Sequence, residues 1–395
     1  MAAIATNIGG AATSVPFARP AIGEAEIREV LATLESGWLT TGPRVARFER
    51  RFADYTGARH AVAVNSCTAA LHLALVAAGI GPGDEVITTP LTFCATANTI
   101  VHAGATPIFA DIDPISMNLD PAAAAAAITP RTRALLPVHF AGRPVDVCAF
   151  RALADRHGLA LIEDAAHCVE GISPLGRVGT TADYTCFSFY ATKNLTTGEG
   201  GMLTTASAEA AASIRVSALH GMSRDAWARY SGTGAVDYDV VTPGFKYNMM
   251  DLQAAIGLHQ LERIEANLRR REAIWAQYDA GLGTLPLTRP APAAPDTRHA
   301  RHLYTVLVDR DACGLDREAL AATLASRGIA TSIHFRALHL HSYYANRFGL
   351  RRGQFPGAEF VSDRTLSLPL SPALQDTEVR LVVTQVRDIL AREGR

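Results

Sequence analysis

The chain has 395 residues, 48% hydrophobic and 19% charged, enough apolar material for about two to three folded domains and too little charge for extended disorder. Thirty-seven Lys and Arg against 38 Asp and Glu leave a net charge of −1. That balance, with no run of basic residues, speaks against a nucleic-acid groove or an anionic-membrane patch.

Near the N-terminus, Met1–Pro20 has its first Arg only at Arg19 and no basic segment ahead of an apolar one, so it does not read as a secretory leader. Glu24–Leu34 places Ile27, Val30, Leu31 and Leu34 on one stripe, which predicts an amphipathic helix. His60–Val64 (HAVAV) reads as a strand, the small residues Asn65-Ser66-Cys67-Thr68 as a tight turn and helix start, and Ala69–Ala78 as an apolar helix. The longest apolar stretch, Ala69–Ile80, is interrupted by His72 and falls short of the roughly 20 residues a bilayer requires.

Glu85–Thr88 repeats the strand signal after the turn Gly81-Pro82-Gly83-Asp84, a helix follows from Ala95, and Thr106–Phe109 reads as a strand. Asp120 and Pro121 are the N-cap and first residue expected of a helix over the six alanines Ala122–Ala127. Ala134–Val138, Leu159–Ile162 and Tyr184–Phe189 continue the strands, with a helix over Val147–His157. Strands joined by crossover helices imply a mostly parallel sheet covered on both faces. Asp251–Arg271 reads as one long helix, Pro286–Pro295 as a linker, and the last hundred residues as a smaller α+β unit built from Leu303–Val308, Arg317–Arg327, Ile329–Ile333 and Val379–Ile389.

The six cysteines, Cys67, Cys94, Cys148, Cys168, Cys186 and Cys313, form no C-x-x-C pair. They fit neither a disulfide scaffold nor a common zinc site and suggest a reduced, cytoplasmic setting. His339 and His341 form a His-x-His, but no further ligand stands at a suggestive spacing.

Ligands of open α/β sheets bind beyond the carboxyl ends of the strands. Three features fall there: Asp164 in LIEDAAH, Lys193 in SFYATKNLTTGEGG, and the Ser66-Cys67-Thr68 helix start, whose free N–H groups suit a phosphate. Singly, each has a bland reading. A lone Asp after a strand is often an N-cap, a lone Lys is usually solvated, and Gly198-Glu199-Gly200-Gly201 is a turn needing positive φ. Together they match the needs of pyridoxal 5'-phosphate (PLP): a lysine amine for its aldehyde, an acid beside its ring nitrogen and an anion site.

The segments SGWLTTGP (Ser36–Pro43), NSCTAALHLAL (Asn65–Leu75), TTPLTFCATAN (Thr88–Asn98), IEDAAH (Ile162–His167), FSFYATKNLTTGEGG (Phe187–Gly201), GFKYNMMDLQAAIGLHQL (Gly244–Leu261) and IHFRALHLHSYY (Ile333–Tyr344) resemble the DegT/DnrJ/EryC1/StrS family. These are PLP-dependent aminotransferases of nucleotide-linked keto-sugars. The resemblance implies an α/β, fold type I PLP-dependent transferase, with a large domain over 1–255, including an N-terminal arm, and a small C-terminal domain over 256–395. It further implies Lys193 as the Schiff-base lysine, Asp164 as the partner of the pyridinium nitrogen and His167 as a contact to the cofactor's 3-oxygen. Ser66, Cys67 and Thr68, with Cys67 where relatives usually carry Gly, would hold the phosphate together with Ser188. Phe93 would stack on the ring, and Asn248 would reach the phosphate of a neighbouring subunit, making the site complete only in a homodimer. Trp38, Thr40, Tyr190, Lys246 and His334 are the substrate-side candidates. The implied reaction moves an amino group from an amino acid, by family habit L-glutamate, to C4 or C3 of a keto-sugar. The alternatives are sugar 3-dehydration, whose catalysts replace the lysine with His, and a regulatory relative without turnover.

Overall fold

The computed structural model describes residues 14–223 and 238–393; the expected N-terminal arm lies partly outside them, at 1–13. Strands β1 (His60–Val64), β2 (Glu85–Thr88), β3 (Thr106–Phe109), β4 (Thr132–Leu136), β5 (Ala160–Asp164), β6 (Ile172–Ser173), β7 (Gly176–Arg177), β8 (Tyr184–Ser188), β9 (Gly201–Thr205), β10 (Leu287–Thr288), β11 (Tyr304–Val308) and β12 (Thr365–Leu368) make three sheets. Seven form the central sheet, in the order β1-β9-β8-β5-β4-β2-β3. Neighbours from β3 through β8 are parallel, and β9 alone runs the other way, antiparallel to both β8 and β1. The carboxyl ends of β1, β5 and β8 therefore open on one edge, where β9 begins.

The apolar strands are buried because helices cover both faces. Val62, Val64, Leu136, Ile162 and Cys186 pack under the helix Cys67–Ala77 on one side. Ala61, Ala63, Phe187 and Met202 pack with Phe48, Phe52 and Leu258 on the other. Asp120 caps the alanine-rich helix Pro121–Ala126 by accepting from Ala122 N–H at 3.0 Å. The three-stranded antiparallel sheet β10-β11-β12 builds a separate core: Tyr304, Val306, Leu366 and Leu368 pack against Ile274, Tyr278, Val379 and Val386.

Two expectations are corrected. The long helix breaks at Arg263 (φ −102°, ψ 2°) into Asp251–Glu262 and Ile264–Leu282, because the Arg263 guanidinium is drawn to Glu26 and to Ala21 O. Residue 255 thus lies inside a helix. Ile329–Ile333 is no strand: Ile329 bridges Val15 and Ser332 bridges Ser367, each as an isolated pair.

Candidate active site

At the shared strand edge lies a cavity of about 610 Å³, within the range of small-molecule sites. Its wall brings together ten of the residues singled out from the sequence: Ser66, Cys67, Thr68, Phe93, Asp164, His167, Ser188, Tyr190, Lys193 and His334.

Asp164 ends β5 and is pinned by its backbone, with its N–H on Pro137 O and its carbonyl accepting from His139 N–H. Its Oδ2 accepts from Thr96 Oγ1 at 2.8 Å and its Oδ1 from Ala166 N–H at 3.1 Å; Cys67 Sγ stands 4.0 Å from Oδ1. Burial raises its pKa, and the Thr96 and Ala166 hydrogen bonds and the charge of Lys193 offset this only in part.

Lys193 sits in the loop after β8, which folds back on itself through Lys193 N–H to Tyr190 O, Phe189 N–H to Gly200 O and Thr197 N–H to Phe189 O. Desolvation pulls its ammonium down from 10.5 to about 8, against the opposing pull of Cys67 and Asp164. An amine with that value supplies a free base near neutral pH.

The helix Cys67–Ala77 points its N-terminus at the cavity. Ser66 is its N-cap, with Oγ accepting from Ala69 N–H at 3.1 Å, and Thr68 is exposed on its first turn. β9 passes so close behind that a Cβ on Gly201 would lie 2.5 Å from Ser66 C and 2.7 Å from Cys67 N. Only glycine fits there.

His167 is buried. Its Nδ1 accepts from Ala141 N–H at 3.2 Å, so the neutral ring carries its proton on Nε2. Desolvation, then Lys193, His302 and His334, hold its pKa well below 6.5. His334 Nδ1 lies 2.9 Å from Ser367 Oγ, and burial with Lys193 nearby lowers it to about 3. Phe93, 59% exposed, leans on Phe335 with ring centroids 6.2 Å apart.

The other four candidates stand outside this cavity. Asn248 donates to Thr41 Oγ1 at 2.7 Å and accepts from exposed Lys246 Nζ at 2.7 Å. Trp38 Nε1 donates to Thr41 O, and exposed Thr40 accepts Asp251 N–H through its carbonyl. His339 is buried against Glu359, 2.9 Å away, whereas His341 is half-buried.

The cavity also takes in Glu199 of the glycine-rich turn, and Thr96, His302, Ser332 and Phe335, which the sequence did not single out. Thr96 stands three residues after Phe93 in the quoted TTPLTFCATAN block, the one signal that pointed to it.

The DegT/DnrJ/EryC1/StrS aminotransferase family matches residues 20–387. Spore coat polysaccharide biosynthesis protein SpsC of Bacillus subtilis is 53% identical over 377 residues, 95% of this chain and 97% of that protein. Among solved structures, the PLP form of Spr1654 from Streptococcus pneumoniae superposes with a TM-score of 0.90 at 34% identity, over 96% of this chain and all of that one. PseC of Helicobacter pylori, an aminotransferase involved in the biosynthesis of pseudoaminic acid, superposes at 0.89 with 28% identity, over 96% of this chain and all of that one.

Proposed function

The chain belongs to the DegT/DnrJ/EryC1/StrS aminotransferase family and is a PLP-dependent sugar aminotransferase; from that premise we propose that it transfers the amino group of L-glutamate to the 4-keto carbon of a nucleotide-linked sugar. The observation that carries the reading is the pairing, across one cavity, of a lysine with a pKa of about 8 and a buried, hydrogen-bonded carboxylate.

The donor set suits PLP. The capped helix N-terminus over a glycine floor is a place for its phosphate, with Ser66, Cys67, Thr68 and Ser188 around it. Asp164 would hold a proton on the ring nitrogen, His167 would donate from Nε2 to the 3-oxygen, and Phe93 would cover the ring. Bound PLP supplies an electron sink that stabilises negative charge at the donor's Cα. Lys193, as the free amine, would take the proton from that carbon and later give it up, serving as base and then as acid. Tyr190 and His334 line the sugar side.

The site is completed by a second copy. Ile22, Ile27, Leu31 and Leu34, each about half exposed, make an apolar stripe of the kind that subunit contacts bury, and Trp38, Thr40, Lys246 and Asn248 serve the partner's cavity. SpsC's name, which places it in spore coat polysaccharide biosynthesis, favours a sugar destined for a surface polymer. Among the described residues no helix is long and apolar enough to cross a membrane, in keeping with action in the cytoplasm. Lys193 stands against sugar 3-dehydration and against a non-catalytic role.

The test is a panel of UDP-, TDP- and GDP-linked 4-keto and 3-keto sugars with glutamate, following 2-oxoglutarate release. Turnover of a 4-keto sugar, abolished in Lys193→Ala, is expected. Full activity of that variant, or no bleaching of the visible band by any amino donor, refutes the proposal.

A further inference from the structure

Behind Lys193 runs a buried polar chain that the proposed reaction leaves unexplained. Arg271, 1% exposed on the helix Ile264–Leu282, donates through Nη2 to Oε1 of fully buried Glu170. Glu170 Oε2 accepts from Asn194 Nδ2 at 2.8 Å, and the same amide nitrogen donates to Ala300 O at 2.9 Å. With both amide hydrogens committed, Asn194 turns Oδ1 toward His302 Nδ1, 3.0 Å away, and Nδ1 must be the donor. A buried ion pair is weak evidence for stability, since apolar residues of similar volume often serve as well. One attested use of such a pair is to specify a single arrangement.

The arrangement it specifies lies in the cavity wall. The ring centroids of His302 and His167 are 4.4 Å apart with planes at 37°, and Phe335 lies at 6.1 Å and 17° from His167. The two imidazoles carry opposite tautomers: His302 holds its proton on Nδ1, His167 on Nε2. His302 faces Lys193, His334, Arg271 and His299, and His167 faces Lys193, His302 and His334. None is an acid, so nothing in contact favours a second proton on either ring.

We propose that His302, held by the Arg271–Glu170–Asn194 chain, is a positioning residue that fixes the ring plane of His167, whose Nε2–H tautomer the Ala141 N–H sets, and through it the direction of the hydrogen bond given to the cofactor's 3-oxygen. The inference rests on the reading of His167 above. Losing one oriented hydrogen bond moves a linked titration by up to about one pH unit.

Two measurements test it: the ¹⁵N histidine spectrum of cofactor-free protein, and the pH midpoint of the visible band of the holoenzyme. Wild type should show His167 as the neutral Nε2–H tautomer at pH 7. Asn194→Ala and His302→Ala should leave that tautomer in place, because the Ala141 N–H remains, and shift the midpoint by about one unit. His302→Gln, which keeps a planar donor, should restore most of the wild-type midpoint and carries the test if Asn194→Ala fails to fold. Folded variants with the wild-type midpoint overturn the inference. If His167→Ala moves the midpoint and the others do not, the inference alone fails; if His167→Ala is also silent, the reading of His167 fails with it.

Discussion

Replacing Lys193 with Met should stabilise the cofactor-free protein while abolishing its activity. A drop from 10.5 to about 8 corresponds to about 3 kcal/mol at roughly 1.4 kcal/mol per pKa unit. The folded value lies below the unfolded one, so between about pH 8 and 10.5 the unfolded chain holds the extra proton and stability rises with pH. Below about pH 8 the full penalty for burying the ammonium is present, and Lys193→Met removes it. That figure already nets off the pull of Cys67 and Asp164 on the ammonium; imperfect packing of Met in the cavity brings the expected gain to about 1–3 kcal/mol. With an unfolding entropy of about 2.1 cal/mol/K per residue, 395 residues convert that to about 1–4 °C in Tm. Thermal unfolding of both apoproteins at pH 7 and pH 10.5 is the assay. The gap should be open at pH 7 and close to zero at pH 10.5. A variant less stable than wild type at pH 7, or a gap that does not change with pH, refutes the reasoning.

Thr96→Val removes a donor from the Asp164 carboxylate; at about 1.5–3 kcal/mol for such a bond, the already raised carboxyl should climb by a further one to two pH units, read by ¹³C NMR. Burial pushes the Glu359 carboxyl up, but donors from His339, Gly353 and Phe355 outweigh it and hold it low. Its contribution is therefore present above the unfolded pKa of about 4.3 and lost as pH falls through the folded value. His339→Phe should accordingly lower the urea midpoint at pH 7 by more than at pH 3, with KM unchanged. Gly201→Ala drives a Cβ into the backbone of Ser66 and Cys67; overpacking of this kind costs about 1–3 kcal/mol, and PLP affinity measured by fluorescence quenching should weaken at least tenfold.

Asp164 and Lys193 were legible because each lies directly after an apolar strand, where local pattern alone locates the edge of the sheet. Thr96 was not, because what recommends it is a hydrogen bond to a residue 68 positions away. His302 was hidden for the same reason: its partner Asn194 is 108 positions away, and the chain between them supplies β9 to the seven-stranded sheet and β10 to the three-stranded one. β9 carries GMLTT, with a glycine and two threonines, so no apolar run announced it; its burial comes from lying between β1 and β8. The GEGG turn illustrates how a correct signal can serve two ends. Gly198 has the positive φ, 80°, that the motif suggests, whereas Gly201 is required by the space at its Cβ position. Helix propensity could not reveal the break at Arg263, because the carbonyl and carboxylate that draw its guanidinium belong to a segment some 240 residues earlier.

The charge inventory of the cavity explains why so many expensive groups are buried together. Lys193 is the one lysine or arginine among the described residues that line it. Around that amine, burial together with the positive charge of Lys193 keeps His167, His302 and His334 uncharged. Burial with nearby carboxylates keeps the Cys67 and Cys186 thiols protonated. Five groups that ordinarily titrate between about pH 6 and 9 are thereby removed from that range, and Lys193 is brought down into it. A proton supplied or withdrawn near neutrality is then exchanged by the amine rather than shared among neighbours. The same environment that destabilises the resting fold makes one nitrogen the proton carrier.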